Sequence, residues 1–190
     1  MTTKLAGSKT FFLPFNKGHN NGKGNPPNPF GHKTSYLWEE VFTRHSLANI
    51  IQSFVRFDGK MSDPLHTKTL FFPRYHQLDV VRKMVNHAAS NGVGHKYLVQ
   101  HSAGSGKSLS ITWSAFRLIE TYPAAEGLPG AKEMARPLFD SVIVVTDRRL
   151  LDKQIKENIK SFSQVKNIVA HAQSSQELKE SLESGKKIII

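Results

Sequence analysis

The 190-residue chain contains no cysteine, which excludes disulfide frameworks and thiolate metal sites and fits a reducing compartment. No run approaches the roughly 18–20 apolar residues of a membrane span. The opening MTTKLAGSKT also lacks the apolar core of a secretory signal. A soluble, cytoplasmic protein with no membrane contact is expected. Acidic side chains are scarce: 15 Asp and Glu stand against 26 Lys and Arg, a net charge of +11. The excess is spread along the chain, with nine basic and four acidic residues in 1–70 and seventeen and eleven in 71–190. Such a balance points to a polyanionic partner, DNA or RNA first. The nine histidines form neither HExxH nor a pair at i, i+4, so no metal site is expected from them. A hydrophobic content of 38% permits a packed core.

What is present centres on Lys96–Ser108, KYLVQHSAGSGKS. Tyr97, Leu98 and Val99 form a short apolar run of the kind found in a buried strand. The chain then turns through Ala103, Gly104, Ser105 and Gly106 to Lys107 and Ser108, where a helical pattern begins. Strand, glycine turn, Lys-Ser and helix make the context of a P-loop. Glycines let backbone N–H groups close around phosphate oxygens, and the helix adds its positive end. Lys107 would reach the β- and γ-phosphates of ATP, and the Ser108 hydroxyl would ligate Mg²⁺. His101 stands where the general pattern GxxxxGK[ST] has its first glycine.

Before this point, residues 1–35 are rich in Gly, Asn and Pro after Phe15, which favours turns. Phe11, Phe12, Leu13, Phe15 and Phe30 are costly to leave in water, so this stretch should pack on something. A first helix is expected near Tyr36, Trp38, Glu39 and Glu40. A second should follow, with Leu47, Ile50, Ile51, Phe54 and Val55 on one face, Ser46 as N-cap and Asp58-Gly59 at its end. Tyr75, Leu78, Val81, Val85 and Ala88 give the next helical stripe, stopped at Asn91-Gly92. A helix over Lys107–Tyr122 should turn Leu109, Trp113, Phe116 and Ile119 to the core, with Pro123 beyond it and a loop to follow.

SVIVV (Ser141–Val145) reads as a buried strand, NIVAH (Asn167–His171) as a weaker one, and Ile188–Ile190 as the start of another. Between them, Leu151, Ile155, Asn158 and Phe162 mark a helix, and Ser174 with Glu177 forms a capping box. Alternating strands and helices predict an α/β fold, a parallel sheet covered by helices. An acidic residue that completes a Mg²⁺ site is usually found at the end of a neighbouring strand. After Ser108 the only such acid is Asp147, and no DE pair follows. The chain is therefore expected to be a fragment, cut before its acidic motif and unable to turn over ATP alone. Glu177-Leu178-Lys179 matches an ExK nuclease tripeptide but falls in the capped helix.

FPRYHQ, HSAGSGKS and TDRRLLDKQ, in that order and spacing, resemble superfamily-2 helicases and DNA translocases. More narrowly, with FFLPFNKG, GNPPNP and YLWEEV, almost the whole chain resembles the motor (restriction, R) subunit of type I restriction-modification enzymes. The resemblance implies an incomplete RecA-like sheet, with residues 1–69 a linker after an absent nuclease domain and 70–190 the first part of motor domain 1. It implies ATP and Mg²⁺ as cofactors and double-stranded DNA as partner, alongside methylation and specificity subunits. The parent would be an ATP-dependent, site-specific deoxyribonuclease. Gln77 would match the residue reading the adenine edge, with Arg74 and Tyr75 beside the base, and Thr146, Arg148 and Gln154 the DNA-backbone motif. Lys107 would be the residue acting in catalysis. A stand-alone helicase or remodelling ATPase, and a non-catalytic nucleic-acid-binding module, are the competing expectations.

Overall fold

The computed structural model describes residues 13–20, 22–58, 62–64, 67–124, 136–147, 155, 156, 158, 159 and 167–190. The chain divides into two units, residues 1–78 and 79–190.

In the first unit the expected first helix is a single π-helical stretch, Leu37–Val41, that buries Val41 and leaves Trp38, Glu39 and Glu40 exposed. Helix α1 (Arg44–Ser53) follows. Its N-cap is Thr43 and not Ser46, and the Thr43 hydroxyl donates back to the Glu40 carbonyl at 3.2 Å. Ile50 and Phe54 are buried as the periodicity requires, but Ile51 is 59% exposed. The helix also ends at Ser53, short of Asp58. Arg56–Asp58 is instead strand β1, antiparallel to β2 (Thr69–Phe71), with Phe57 opposite Leu70. Three-residue strands carry too little alternation to be read from sequence. Phe15 packs edge-on against Phe72 and Tyr75, at ring-centroid distances of 6.3 and 5.7 Å. Phe30 does the opposite of what its apolarity suggests and stands 98% exposed. Phe11 and Phe12 lie outside the described residues.

Helix α2 (Tyr75–Asn91) contains the division between the units. It runs as the stripe predicts: Leu78, Val81 and Ala88 are buried, and the Gly92 N–H closes the last turn on the Ala88 carbonyl at 2.8 Å. In the second unit, helix α3 (Lys107–Ile119) buries Trp113, Ala115, Phe116 and Ile119. It ends at Ile119, three residues before Tyr122. A three-stranded parallel sheet comprises β3 (Val142–Ile143), β4 (Val169–Ala170) and β5 (Ile188–Ile189), in the order β3-β5-β4. Val142 and Val169 both sit opposite Ile188, and Ile143 and Ala170 opposite Ile189. Helix α3 packs on β3 and β5. Helix α4 (Ser175–Glu183) forms one half of the expected box: the Ser174 hydroxyl accepts from the Glu177 N–H at 3.2 Å, while the Glu177 carboxylate reaches past the N-cap and accepts from the Gln173 N–H at 2.8 Å. Ile155 and Ile159, described as helical, are buried, whereas Leu151 and Phe162 lie outside the described residues. The architecture is mixed α/β with a parallel sheet, consistent with an incomplete RecA-like fold.

Two strand expectations need correction. Tyr97, Leu98 and Val99 form no strand and are 44%, 93% and 41% exposed. An apolar run is buried only if a neighbouring strand pairs with it and a layer covers it, and among the described residues none pairs here. In SVIVV only Val142 and Ile143 are strand, and Ile143 and Val145 are 46% and 88% exposed. As the first strand of the order, β3 pairs on one side only among the described residues. Ile188–Ile190, by contrast, is no sheet edge. Strand β5 is the central one, and Ile188 and Ile189 are fully buried between its two neighbours.

Candidate nucleotide-binding site

The second unit builds the P-loop from a turn whose backbone only glycine adopts readily. The Ser105 N–H folds back to the Ser102 carbonyl at 3.3 Å. Gly104 has φ +71° and Gly106 φ +84°, in the left-handed region that costs an L-residue about 1–2 kcal/mol. At Gly104 a Cβ would meet nothing within 4 Å, so the dihedral and not crowding demands glycine there. Gly106 is also the N-cap of α3, without a side chain to satisfy the first-turn donors. Its carbonyl accepts from the N–H groups of Leu109 and Ser110 at 3.1 and 3.3 Å, which starts the helix directly from the turn.

Ala103, Gly104 and Lys107 are exposed on this turn, and Ser105 and Ser108 are buried at its base. The Lys107 ammonium donates to the carbonyls of Ser102 and His101, at 2.8 and 3.1 Å. The Ser108 carbonyl accepts from the Thr112 hydroxyl at 2.9 Å, locking the first turn of α3. Among the described residues no acceptor takes the N–H of Gly104 or of Lys107. A cation, a helix N-terminus and two N–H groups without an acceptor among the described residues lie on one exposed loop, a donor set that fits a phosphate chain. Ser108, in the first turn, carries the hydroxyl that a phosphate-bound Mg²⁺ requires. Among the described residues no group of three His, Cys, Asp or Glu could hold a metal by itself.

In the first unit, Gln77 is buried and its Oε1 accepts from the Arg74 backbone N–H at 2.8 Å. That contact is half of a capping box, the third helical residue reaching back to the residue before the helix, and it fixes the orientation of the amide. Tyr75 lies edge-on to Phe15 and Tyr36, at 5.7 and 5.5 Å between ring centroids.

Beside these rings is a group that sequence reasoning missed. The Lys17 ammonium donates to both Glu40 carboxylate oxygens at 2.7 and 2.8 Å, and lies 4.9 Å from the Tyr36 ring centroid and 5.7 Å from that of Tyr75. The Tyr36 hydroxyl donates to the Phe15 carbonyl. Apolar Phe15 hinted at packing, but nothing local linked Lys17 to Glu40, 23 residues on. Burial alone pushes the Lys17 ammonium down, but the Glu40 carboxylate, with help from Tyr75, outweighs it and leaves the group above its ordinary 10.5. Burial, aided by Tyr75, raises the Tyr36 phenol above 10.0. Both groups therefore favour the folded state below their unfolded pKa values, and that contribution is lost as pH rises through the raised values. We expect the first unit to keep this cluster through neutral pH and loosen only above about pH 10. An ultraviolet titration of tyrosinate against circular dichroism checks this, and loosening near pH 8 would contradict it.

Of the expected DNA contacts, only Thr146 is described, and Arg148 and Gln154 lie outside the described residues. Thr146 and Asp147 line a cleft of about 810 Å³ with His171, Gln173, Ser174 and Ile190. These follow β3, β4 and β5 in the chain, so the cleft lies at the carboxyl ends of parallel strands, where open α/β sheets bind ligands. Among the described residues no helix is long and apolar enough to cross a membrane.

No curated protein and no solved structure matches the chain. The model of the SWI2/SNF2 ATPase family matches residues 76–190. That span holds the end of the FPRYHQ segment, the P-loop, α3, α4 and the whole parallel sheet, and it is more than half of the 190 residues. The chain accordingly belongs to the SWI2/SNF2 ATPase family, a superfamily-2 helicase-like group of ATPases.

Proposed function

We propose that this chain is the ATP-binding part of a DNA-translocating motor of the type I restriction kind, which couples ATP hydrolysis to movement along duplex DNA. The observation that carries the ATP-binding reading is the loop at Gly104–Ser108, with Lys107 on its exposed face and α3 behind it. Lys107 would hold the β- and γ-phosphates, and Ser108 would ligate Mg²⁺. When bound, ATP with Mg²⁺ supplies the phosphoryl group whose hydrolysis drives the motor. Backbone donors of Ala103–Gly106 would orient the phosphates.

The narrower restriction reading is supported by FPRYHQ, HSAGSGKS and TDRRLLDKQ in one order, and by the basic balance. Methylation and specificity subunits would be its partners, and Thr146, Arg148 and Gln154 its contacts to the DNA backbone. The SWI2/SNF2 match favours a second reading, a stand-alone remodelling ATPase. A triplex-displacement assay on the intact subunit separates them. Under the first reading a third strand is displaced only with hydrolysable ATP, and duplex is cut only when the partner subunits are added. Displacement without cutting under any subunit combination would favour the second.

Gln77 is assigned to the adenine edge, because an amide can both donate to and accept from that base. Gln77→Ala should lower the preference for ATP over GTP more than it lowers affinity for both. The ratio of the two affinities is the readout, since loss of the cap at Arg74 would weaken both alike. An unchanged ratio would remove Gln77 from the base.

A further inference from the structure

The stretch Pro26–Trp38 of the first unit has a surface that neither the P-loop nor the cleft at the strand ends involves. Asn28 organises it. Its Oδ1 accepts from the Phe30 N–H at 3.0 Å, and its carbonyl accepts from the Gly31 N–H at 3.4 Å. Its Nδ2 donates to the Ser35 hydroxyl at 2.9 Å, and that hydroxyl donates to Glu39 at 2.9 Å. Pro26, Pro27 and Pro29 stiffen the same backbone. The turn is thus tied to the π-helical stretch, and at its apex it holds Phe30 with 98% of its surface in water. Burying a phenylalanine is favourable, and a well-bonded turn that leaves one exposed is built to present it. The Trp38 ring is 54% exposed and lies edge-on to His32 at 6.3 Å.

Exposed lysines flank the turn in sequence. Lys33, three residues from Phe30, and Lys23 are exposed and have no carboxylate partner among the described residues. Of the nearby acids, Glu40 is paired with Lys17, and Glu39 accepts from the Ser35 hydroxyl and keeps its charge. Cores of protein–protein interfaces are depleted in lysine. Aromatic faces interleaved with lysine are instead the composition that grips single-stranded nucleic acid, by base stacking and phosphate pairing. A duplex keeps its base faces stacked within itself and offers them to neither ring.

We infer that the Asn28-centred turn and Trp38 form a docking surface for unpaired nucleic-acid bases, with Phe30 and Trp38 as stacking platforms and Lys33 on the phosphates. The test is fluorescence anisotropy of the full chain with labelled dT20 and with a 20-base-pair duplex, alongside Trp emission. Trp113 is buried, so quenching by dT20 reports Trp38. Phe30→Ala and Trp38→Ala should each weaken dT20 binding roughly 5- to 100-fold and leave duplex binding unchanged, and Phe30→Tyr should restore it. Lys33→Ala should lower the slope of log affinity against log salt by about 0.7. Phe30 is so exposed that Phe30→Ala should fold as the parent does, which circular dichroism verifies. The inference is overturned if dT20 does not bind, if both aromatic variants bind it as the parent does, if Trp38 emission is unchanged at saturation, or if duplex binding falls equally.

Discussion

Lys107→Ala is expected to weaken ATP binding by about 2–3 kcal/mol, the scale of a charge-assisted hydrogen bond, or roughly 30- to 140-fold in affinity. The Lys107 ammonium donates to two carbonyls of its own loop, at 2.8 and 3.1 Å. Neither contact is an ion pair, so among the described residues no carboxylate competes with a phosphate for this charge. Without it, the triphosphate would face backbone N–H groups and the end of α3 alone. Those remain, so binding should fall and not vanish. Lys107→Arg keeps the charge but replaces a compact ammonium with a planar fork, and should bind between the two. Titration with Mg·ATP, followed by calorimetry, checks the order. Equal affinity of Lys107→Ala and the parent would sink the P-loop assignment.

Trp113→Ala is expected to destabilise the second unit by about 3–5 kcal/mol, because the lost transfer free energy is joined by the cavity left behind. Trp113 is 1% exposed on the buried face of α3, the helix that begins at the P-loop and packs on β3 and β5. Domains are typically stable by only about 5–15 kcal/mol, so this single change should bring the unit close to unfolding. The matching control is Leu98→Ala. Leu98 is 93% exposed, and a surface change of this kind should stay within about 0.5 kcal/mol. Urea denaturation followed by circular dichroism measures both. A core-sized loss for Leu98→Ala would restore the buried strand that the structure lacks. A loss below about 1 kcal/mol for Trp113→Ala would mean that α3 is not held by the packing described.

The sequence by itself determined helices α2, α3 and α4 and the turn, because these are local. Helix α2 and its stop follow from apolar spacing and from Gly92, whose φ is +78°. Helix α3 follows from the stripe through Trp113, Phe116 and Ile119, and α4 from Ser174 and Glu177. The P-loop turn was legible for the same reason, since Gly104 and Gly106 sit at positive φ and only local sterics enter.

Burial of the strands was decided by tertiary structure. Tyr97–Val99, Val142–Val145 and Ile188–Ile190 are alike as apolar runs, yet among the described residues the first is exposed, the second lies at the edge of the sheet, and the third is its centre. Which run is covered depends on pairing between residues 19 to 46 positions apart, such as Val169 or Val142 with Ile188. No window of local periodicity contains that information. The same holds for Lys17, whose carboxylate partner and aromatic neighbours come from positions 40, 36 and 75. It holds for Phe30 in the other direction: apolarity predicts packing, and a turn bonded through Asn28 holds the ring in water.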